Sequence, residues 1–367
     1  MWELLLIFSL LCWTSEGSVT CRNENNGEVD WYILYKTPSI KNQLQGVEYL
    51  YIDSHGMRTA NKAISDSQGV LANTLKPLFN PGGSMAPNFG FISYSDQTPN
   101  SNAPQNFGHS KGVLLVDKSG TGIWLLHSTP KFPYAKDENS FWPSNGVKNA
   151  QTFICVTFPY DQFKKIGKHL QYIRAFPFDH RIPGDFHTEL QDVVNKADVP
   201  PDDNFQQLSS NNRFNFYSIA KNIQSSADGG DLYVTISQRV SSDLLVQTWG
   251  CQAGRDTSFC RKNKFKVENI KMIETSLSQW KNTQDHSKWC VAKDPENNWM
   301  CVADVNRAQS QYTRRGGALC INDKRIKDIF KNLAKESEDC QNRSLLDILD
   351  VLNLRNFLNI LNPDCDP

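Results

Sequence analysis

The sequence carries no net charge: 39 Lys and Arg balance 39 Asp and Glu. That balance argues against a constitutively basic nucleic-acid binder at neutral pH. In acid the seven His protonate and part of the carboxylates neutralise, so a polyanionic substrate stays compatible with an acidic compartment. Long apolar runs are missing as well. Residues 4–13 are apolar but too short to cross a bilayer, and no later stretch is long enough. At the N-terminus, ahead of the small residues 15–18, that run reads as an export signal over 1–18, so the mature chain is expected to be exported and to have no membrane span. None of the ten cysteines forms a Cys-x-x-Cys pair, which leaves no zinc module. Cys12 departs with the signal and nine remain, an odd number that leaves at least one thiol unpaired or intermolecular. A Ser-His-Asp hydrolase is not expected, because no Gly-x-Ser-x-Gly elbow appears. Asn342-Arg343-Ser344 is the single glycosylation sequon.

What the chain does have, it writes twice. His109-Ser110-Lys111 opens one run and His286-Ser287-Lys288 opens another. Eight residues after each His comes an acid, Asp117 or Asp294, and eighteen after comes His127 or Asp304. Between them lies an apolar segment with a tryptophan, Trp124 or Trp299. On a strand, His and Lys at i and i+2 project to one face. An imidazole attacks phosphorus or moves a proton, and an ammonium beside it holds an anionic oxygen. The doubling points to one active site shared by two similar halves.

Two His and two Lys brought together suit phosphodiester transfer without a metal ion. Asp117, Asp294 and Asp304 lie near the motifs but lack recognisable ligand spacing. His127, at the end of an expected strand, competes for a catalytic role and reads better as structural. Asn306 and Arg307, close to Arg314-Arg315-Gly316-Gly317, sit where a Gly-containing loop would meet phosphate. His55, His169, His180 and His187 have no such context, and the basic run 261–266 reads as a solvated strand edge.

Strands are expected at residues 29–36, 47–53, 89–94, 113–116, 123–126, 153–158, 244–249 and 265–273, with a second motif hairpin over 285–303. Helices are expected over 61–76, 160–172, 188–196 and 323–335. Interleaved strands and helices give an α/β (α+β layered) class. The division is a first half over 19–175 and a second over 176–340, then a leucine-rich tail over 341–367 that reads as a docked helix.

Longer pieces carry a resemblance. They include Val29-Asp30-Trp31, Gly108-His109-Ser110-Lys111-Gly112, residues 124–133, Asp285-His286-Ser287-Lys288-Trp289, residues 301–307 and residues 315–320. Through them the sequence resembles the deoxyribonuclease II family, acid endonucleases of the phospholipase D-like superfamily. The resemblance implies a pseudo-dimer within one chain, each half with a central mixed sheet flanked by helices and giving one His-x-Lys to a cleft. It implies cleavage of double-stranded DNA in acid with no metal ion or other cofactor, leaving 3′-phosphate and 5′-hydroxyl ends. His109, Lys111, His286 and Lys288 are then catalytic, with attack assigned to His109 and proton transfer to His286, and Ser128, Asn306, His127 and Asp304 are supporting candidates. Cys21–Cys155, Cys260–Cys340 and Cys301–Cys320 are the implied disulfides. Cys290 is left free, and Cys251 and Cys365, outside the family pattern, are available to each other. Lysosomal and secreted locations are both implied, as is a monomer or homodimer. The rivals are a phospholipase D-like lipid phosphodiesterase, which a large apolar patch at the cleft would favour, and an inactive exported DNA binder, which has no need of two intact motifs.

Overall fold

The computed structural model describes residues 18–79, 85–198, 205–221, 223–340 and 365. Nearly all of the expected export signal, the sequon at Asn342 and the leucine-rich tail apart from Cys365 lie outside the described residues.

Two sheets dominate. The first holds β1 (Trp31–Lys36), β2 (Tyr49–Asp53), β3 (Gly56–Thr59), β4 (Phe89–Ser95), β5 (Lys111–Asp117), β6 (Thr121–His127), β7 (Gln151–Pro159) and β8 (Pro177–Arg181). Their order is β8-β4-β5-β6-β7-β1-β2-β3, antiparallel throughout. The second holds β9 (Phe205–Ser209), β10 (Asn215–Ala220), β11 (Leu244–Gln247), β12 (Val267–Glu274), β13 (Gln279–Lys281), β14 (Trp289–Ala292), β15 (Trp299–Ala303), β16 (Gly317–Asn322) and β17 (Ala334–Ser337). Its order is β9-β10-β16-β15-β14-β11-β12-β13, with β17 added beside β12. The β11–β12 pair is parallel, so only this sheet is mixed.

The duplication seen in the motifs extends to topology. Five strands of the first sheet lie as β4-β5-β6-β7-β1, and five of the second as β11-β14-β15-β16-β10. In both sets the first strand in chain order closes beside the fifth. The strand Pro177–Arg181, which a division at 175/176 assigns to the second half, pairs with β4 in the first sheet.

Alternation along the strands sorts side chains between layers. Trp31, Ile33, Tyr35, Trp124, Leu126, Trp289, Val291, Met300 and Val302 enter one core shared by both sheets. Tyr32, Leu34, Ile123 and Leu125 face the opposite way, as do Cys290, Ala292 and Cys301 in the second sheet. Strands buried on both faces read as continuous apolar runs, which is why they were legible. Helix α1 (Val70–Leu75) covers the outer face of the first sheet and α4 (Leu232–Val240) that of the second. Helices α2 (Phe163–Tyr172), α3 (Thr188–Val194) and α5 (Lys324–Leu333) pack into the shared core. In α5 the apolar stripe is Ile326, Phe330 and Leu333, and the Asp323 carboxylate caps the helix by accepting from Ile326 N at 3.1 Å.

The expected helix over 61–76 is shorter, only Val70–Leu75. Asp66 takes the preceding chain into turns, accepting from Gln68 N at 2.7 Å through its carboxylate and from Gly69 N at 2.9 Å through its carbonyl. The Gly46 turn ahead of β2 needs glycine: φ is +77°, and a Cβ would stand 2.1 Å from Val147 O. Disulfides join Cys21–Cys155, Cys260–Cys340, Cys301–Cys320 and Cys251–Cys365. Cys290 is free and buried.

Candidate active site

The two His-Ser-Lys tripeptides stand at equivalent points, each leading into the third strand of its five-strand set, β5 or β14. Each His lies just ahead of its strand, and its backbone is tied to the opposite half. His109 N donates to Arg315 O at 2.9 Å, beside the start of β16. His286 N donates to Ala150 O at 2.9 Å, beside the start of β7. This reciprocal fastening brings both motifs to the seam between the sheets. Gly108 makes the crossing possible, because a Cβ there would sit 1.9 Å from Ile173 O.

One carboxylate organises the first motif. Asp96, directly after β4, accepts from His109 Nδ1 at 2.6 Å and from Lys111 Nζ at 2.5 Å. Arg314 Nη2 reaches the same carboxylate at 3.3 Å from the second half. Burial pushes the Asp96 carboxyl up, but the charges and hydrogen bonds of His109 and Lys111 hold it well below the usual range. It stays an anion. With Nδ1–H engaged, Nε2 is the ring nitrogen left for chemistry. Burial lowers the pKa of His109 to about 4 against the pull of Asp96, with Lys111 and Lys288 repelling the imidazolium.

The second motif is built differently. The His286 ring lies against Trp249, centroids 4.3 Å apart, and its Nε2 has no hydrogen-bond partner among the described residues. Burial, then Lys288, Lys111, Lys36 and His109 in that order, holds its pKa well below the ordinary value. Those mutual influences show that both motifs feel one field. Lys288 Nζ donates to His286 O at 2.8 Å, and burial with Lys111 nearby lowers its pKa to about 7. The adjacent Asp285 is locked away: it accepts from Tyr35 Oη at 2.5 Å, Trp280 Nε1 at 2.8 Å and Ser287 N at 2.8 Å. Tyr35 belongs to β1, so this carboxylate also stitches the halves together.

Asp304 joins the cluster electrostatically. It accepts from Gly317 N at 3.1 Å, while its Oδ1 is buried without a partner. Burial raises its pKa to about 8, despite Lys111 and Lys288, so it is a neutral acid in the acidic range. The other supporting candidates have partners of their own. Ser128 Oγ donates to Gln151 Oε1 at 2.5 Å and accepts from Thr152 N at 3.0 Å. His127 packs against the rings of Phe132 and Phe153. Asn306 Oδ1 accepts from Trp249 N at 3.3 Å and Nδ2 donates to Gln252 Oε1 at 2.9 Å, which places it behind the His286 wall. Arg307 is buried against Asp231, Asn269 and Thr257. Asp117 and Asp294 close turns at the far ends of their hairpins, each accepting from a backbone N–H two residues on.

One expectation about the motif itself needs correcting. Gly108-His109-Ser110-Lys111-Gly112 does spell Gly-x-Ser-x-Gly. A strand follows it rather than a helix, and the Ser110 hydroxyl is buried without a partner, so no nucleophile elbow forms. Asp96, Tyr35, Trp249 and Lys36 were missed from sequence: none has a repeated or spaced signal, and all reach the site through tertiary packing.

Over His109 opens a cleft of about 710 Å³, lined by polar groups that include Gln97, Gln105, Gln252, Gln311 and Arg314. Among the described residues no three His, Cys, Asp or Glu side chains converge as a metal-binding group.

Comparison with known proteins adds the following. The family model described as Deoxyribonuclease II matches residues 20–340. Deoxyribonuclease-2-alpha of Sus scrofa is 34% identical over 357 residues, covering 92% of this chain and 95% of that protein. Deoxyribonuclease-2-beta of Homo sapiens is 32% identical over 352 residues, covering 92% and 96%. Among solved structures, the yeast tyrosyl-DNA phosphodiesterase overlaps 61% of this chain and 69% of its own at 10% identity and a TM-score of 0.31, too weak an overlap to decide anything.

Proposed function

Because the chain belongs to the deoxyribonuclease II family, we propose that it is an acid endodeoxyribonuclease whose His109 and His286 hydrolyse a DNA phosphodiester between them. Neutral His109 Nε2 attacks phosphorus, and the bond from phosphorus to O5′ breaks as protonated His286 gives O5′ its proton. A 5′-hydroxyl strand leaves and the 3′-phosphoryl group stays on His109. Neutral His286 then takes a proton from water, whose oxygen attacks phosphorus, and the 3′-phosphate departs from His109. Lys111 and Lys288 hold the non-bridging oxygens, the task a metal ion performs elsewhere.

The observation that carries this assignment of roles is the asymmetry around the two rings. Asp96 accepts from His109 Nδ1 at 2.6 Å, fixing the tautomer whose Nε2 bears the lone pair and steadying the positive charge the ring gains on attack. Among the described residues His286 has no carboxylate partner and its Nε2 is unpartnered, which suits a group that lends and recovers a proton. Burial and surrounding cations keep both imidazoles neutral near pH 7. One proton must enter the pair before turnover and a second one blocks the nucleophile, so activity is bell-shaped in pH and reports the pair as a unit.

The polar lining of the cleft favours DNA over the lipid phosphodiester reading. Four disulfides and the apolar N-terminal segment support export, to lysosome or secretions. The test is plasmid digestion in acid with a chelator present, followed by end analysis. Cleavage to 3′-phosphate ends is expected. Activity that vanishes with chelator and returns with magnesium would sink the reading.

A further inference from the structure

The cleft over His109 is walled on one side by residues 97–105. Beyond that wall lies a second groove of about 650 Å³, bounded by residues 98–101, 133–136 and 176–180, with Lys196 at its rim. Its size falls within the roughly 300–1,000 Å³ of ligand sites. Backbone bonds tie this region to the chain leading into the first motif: Ser95 N to Phe176 O at 3.0 Å and Gly108 N to Arg174 O at 2.9 Å.

Cations and rings alternate along this side. Arg174 lies 5.2 Å over Phe107, Phe107 meets Phe176 edge-on at 4.9 Å, and Lys196 lies 4.7 Å over Phe176. Tyr134 is 53% exposed, yet its backbone is held by a 2.7 Å bond from its N–H to Phe141 O. A solvent-facing ring on a fixed backbone is a stacking platform. Two lysines, Lys136 and Lys196, line the groove against one carboxylate, Asp179, which Lys136 pairs with at 3.0 Å. Exposed rings beside a cationic groove are how single-stranded nucleic acid is held without reading its sequence.

We infer that this groove is a nucleotide subsite. It takes an unpaired nucleotide of the substrate strand one step beyond the two that flank the scissile phosphate, stacks its base on Tyr134 and holds its phosphate with Lys136 and Lys196. The inference rests on His109 and His286 being the DNA-cleaving pair. A paired base has both faces covered by its neighbours, so occupancy requires the strand to be opened or already frayed. A duplex carrying one unpaired nucleotide near the cut is therefore bound more tightly than a fully paired one.

The experiment uses the full chain in acid with chelator. In His109→Ala protein, 2-aminopurine is scanned along an oligonucleotide. One position is expected to lose fluorescence on binding, and adding Tyr134→Ala is expected to restore it and weaken binding roughly tenfold. In otherwise wild-type protein, Tyr134→Ala raises KM for oligonucleotides and leaves kcat alone. It also spares thymidine 3′-(p-nitrophenyl phosphate), which carries no neighbouring nucleotide. Unchanged affinity and fluorescence overturn the subsite, and so does equal loss on both substrates, which marks a structural role. Failure of the wild-type chain to cut DNA overturns the catalytic reading instead, while the fluorescence result remains readable by itself.

Discussion

Replacing Asp96 by Asn removes a buried anion that two cations and one neutral imidazole share. His109, Lys111 and Arg314 approach it at 2.6, 2.5 and 3.3 Å. Asn accepts one hydrogen bond with its oxygen but supplies no charge, and its NH₂ faces donors. Removing one partner of a buried ion pair costs about 3–5 kcal/mol, so thermal unfolding should show a loss of that order. The pH dependence of this loss has a definite sign. Asp96 is held below its ordinary 3.8 in the fold, so its contribution is full above that value and fades as pH falls through the folded pKa. The gap between wild type and Asp96→Asn closes only in strong acid. For catalysis, an unanchored nucleophile ring costs roughly 10²- to 10⁴-fold in kcat, by analogy with other carboxylate–His pairs. Asp96 also raises the pKa of His109, so its loss moves the acid limb of kcat/KM to lower pH. Steady-state kinetics on thymidine 3′-(p-nitrophenyl phosphate) across the acid range reads both effects. An Asp96→Asn protein with unchanged kcat and an unmoved acid limb would refute the reasoning, whatever happened to its stability.

His109→Ala and His286→Ala should each abolish plasmid cleavage while leaving DNA binding within a few-fold, as measured by anisotropy. The p-nitrophenyl substrate, whose leaving group needs little protonation, should release a single-turnover burst of p-nitrophenol with His286→Ala and none with His109→Ala; the reverse pattern would exchange their roles. His169 is buried with neither ring nitrogen partnered, and burial lowers its pKa from 6.5 to about 3. The unfolded chain therefore takes up this proton first as pH falls, and stability is lost from about 6.5 downward. His169→Leu should abolish that loss, worth about 2–3 kcal/mol near pH 4.5; parallel pH profiles in denaturant titrations would show the cost lies elsewhere. Opening Cys301–Cys320, which spans 19 residues and fastens β15 to β16, should cost about 2–5 kcal/mol, and a Cys301→Ser, Cys320→Ser protein with wild-type Tm would contradict it.

The parts of the molecule legible in the sequence are those with a local or repeated signal. The doubled His-Ser-Lys foretold two halves, and the five-strand sets ending in β7–β1 and β16–β10 share that duplication. Strands buried on both faces announced themselves by unbroken apolar runs, and α2 and α5 by their stripes. Helix α4 went unseen: Leu232–Val240 mixes β-branched residues with a polar face, and its start depends on the Asp231 cap, which accepts from Tyr233 N at 2.8 Å. The short edge strands β8 and β9 lie in polar, proline-containing sequence and pair only because longer strands present an edge. At the site, the histidines and lysines were visible and their surroundings were not. Asp96 ends an ordinary strand and precedes a polar loop, and nothing in its spacing says that His109, Lys111 and Arg314 will meet it. Asn306 and Arg307 stand near the second motif, as their sequence position suggested, with side chains engaged with Trp249, Gln252, Asp231 and Asn269.

The central claim is that phosphorus is carried on His109. His286→Ala protein, which lacks the proton acceptor for the second step, is mixed with thymidine 3′-(p-nitrophenyl phosphate) in the presence of chelator. It is then digested under conditions that spare phosphohistidine. Mass spectrometry should find the thymidine 3′-phosphoryl group on the peptide containing His109 and on that ring. An adduct on Ser110 or any other residue, or steady turnover by the His109→Ala protein, would contradict it.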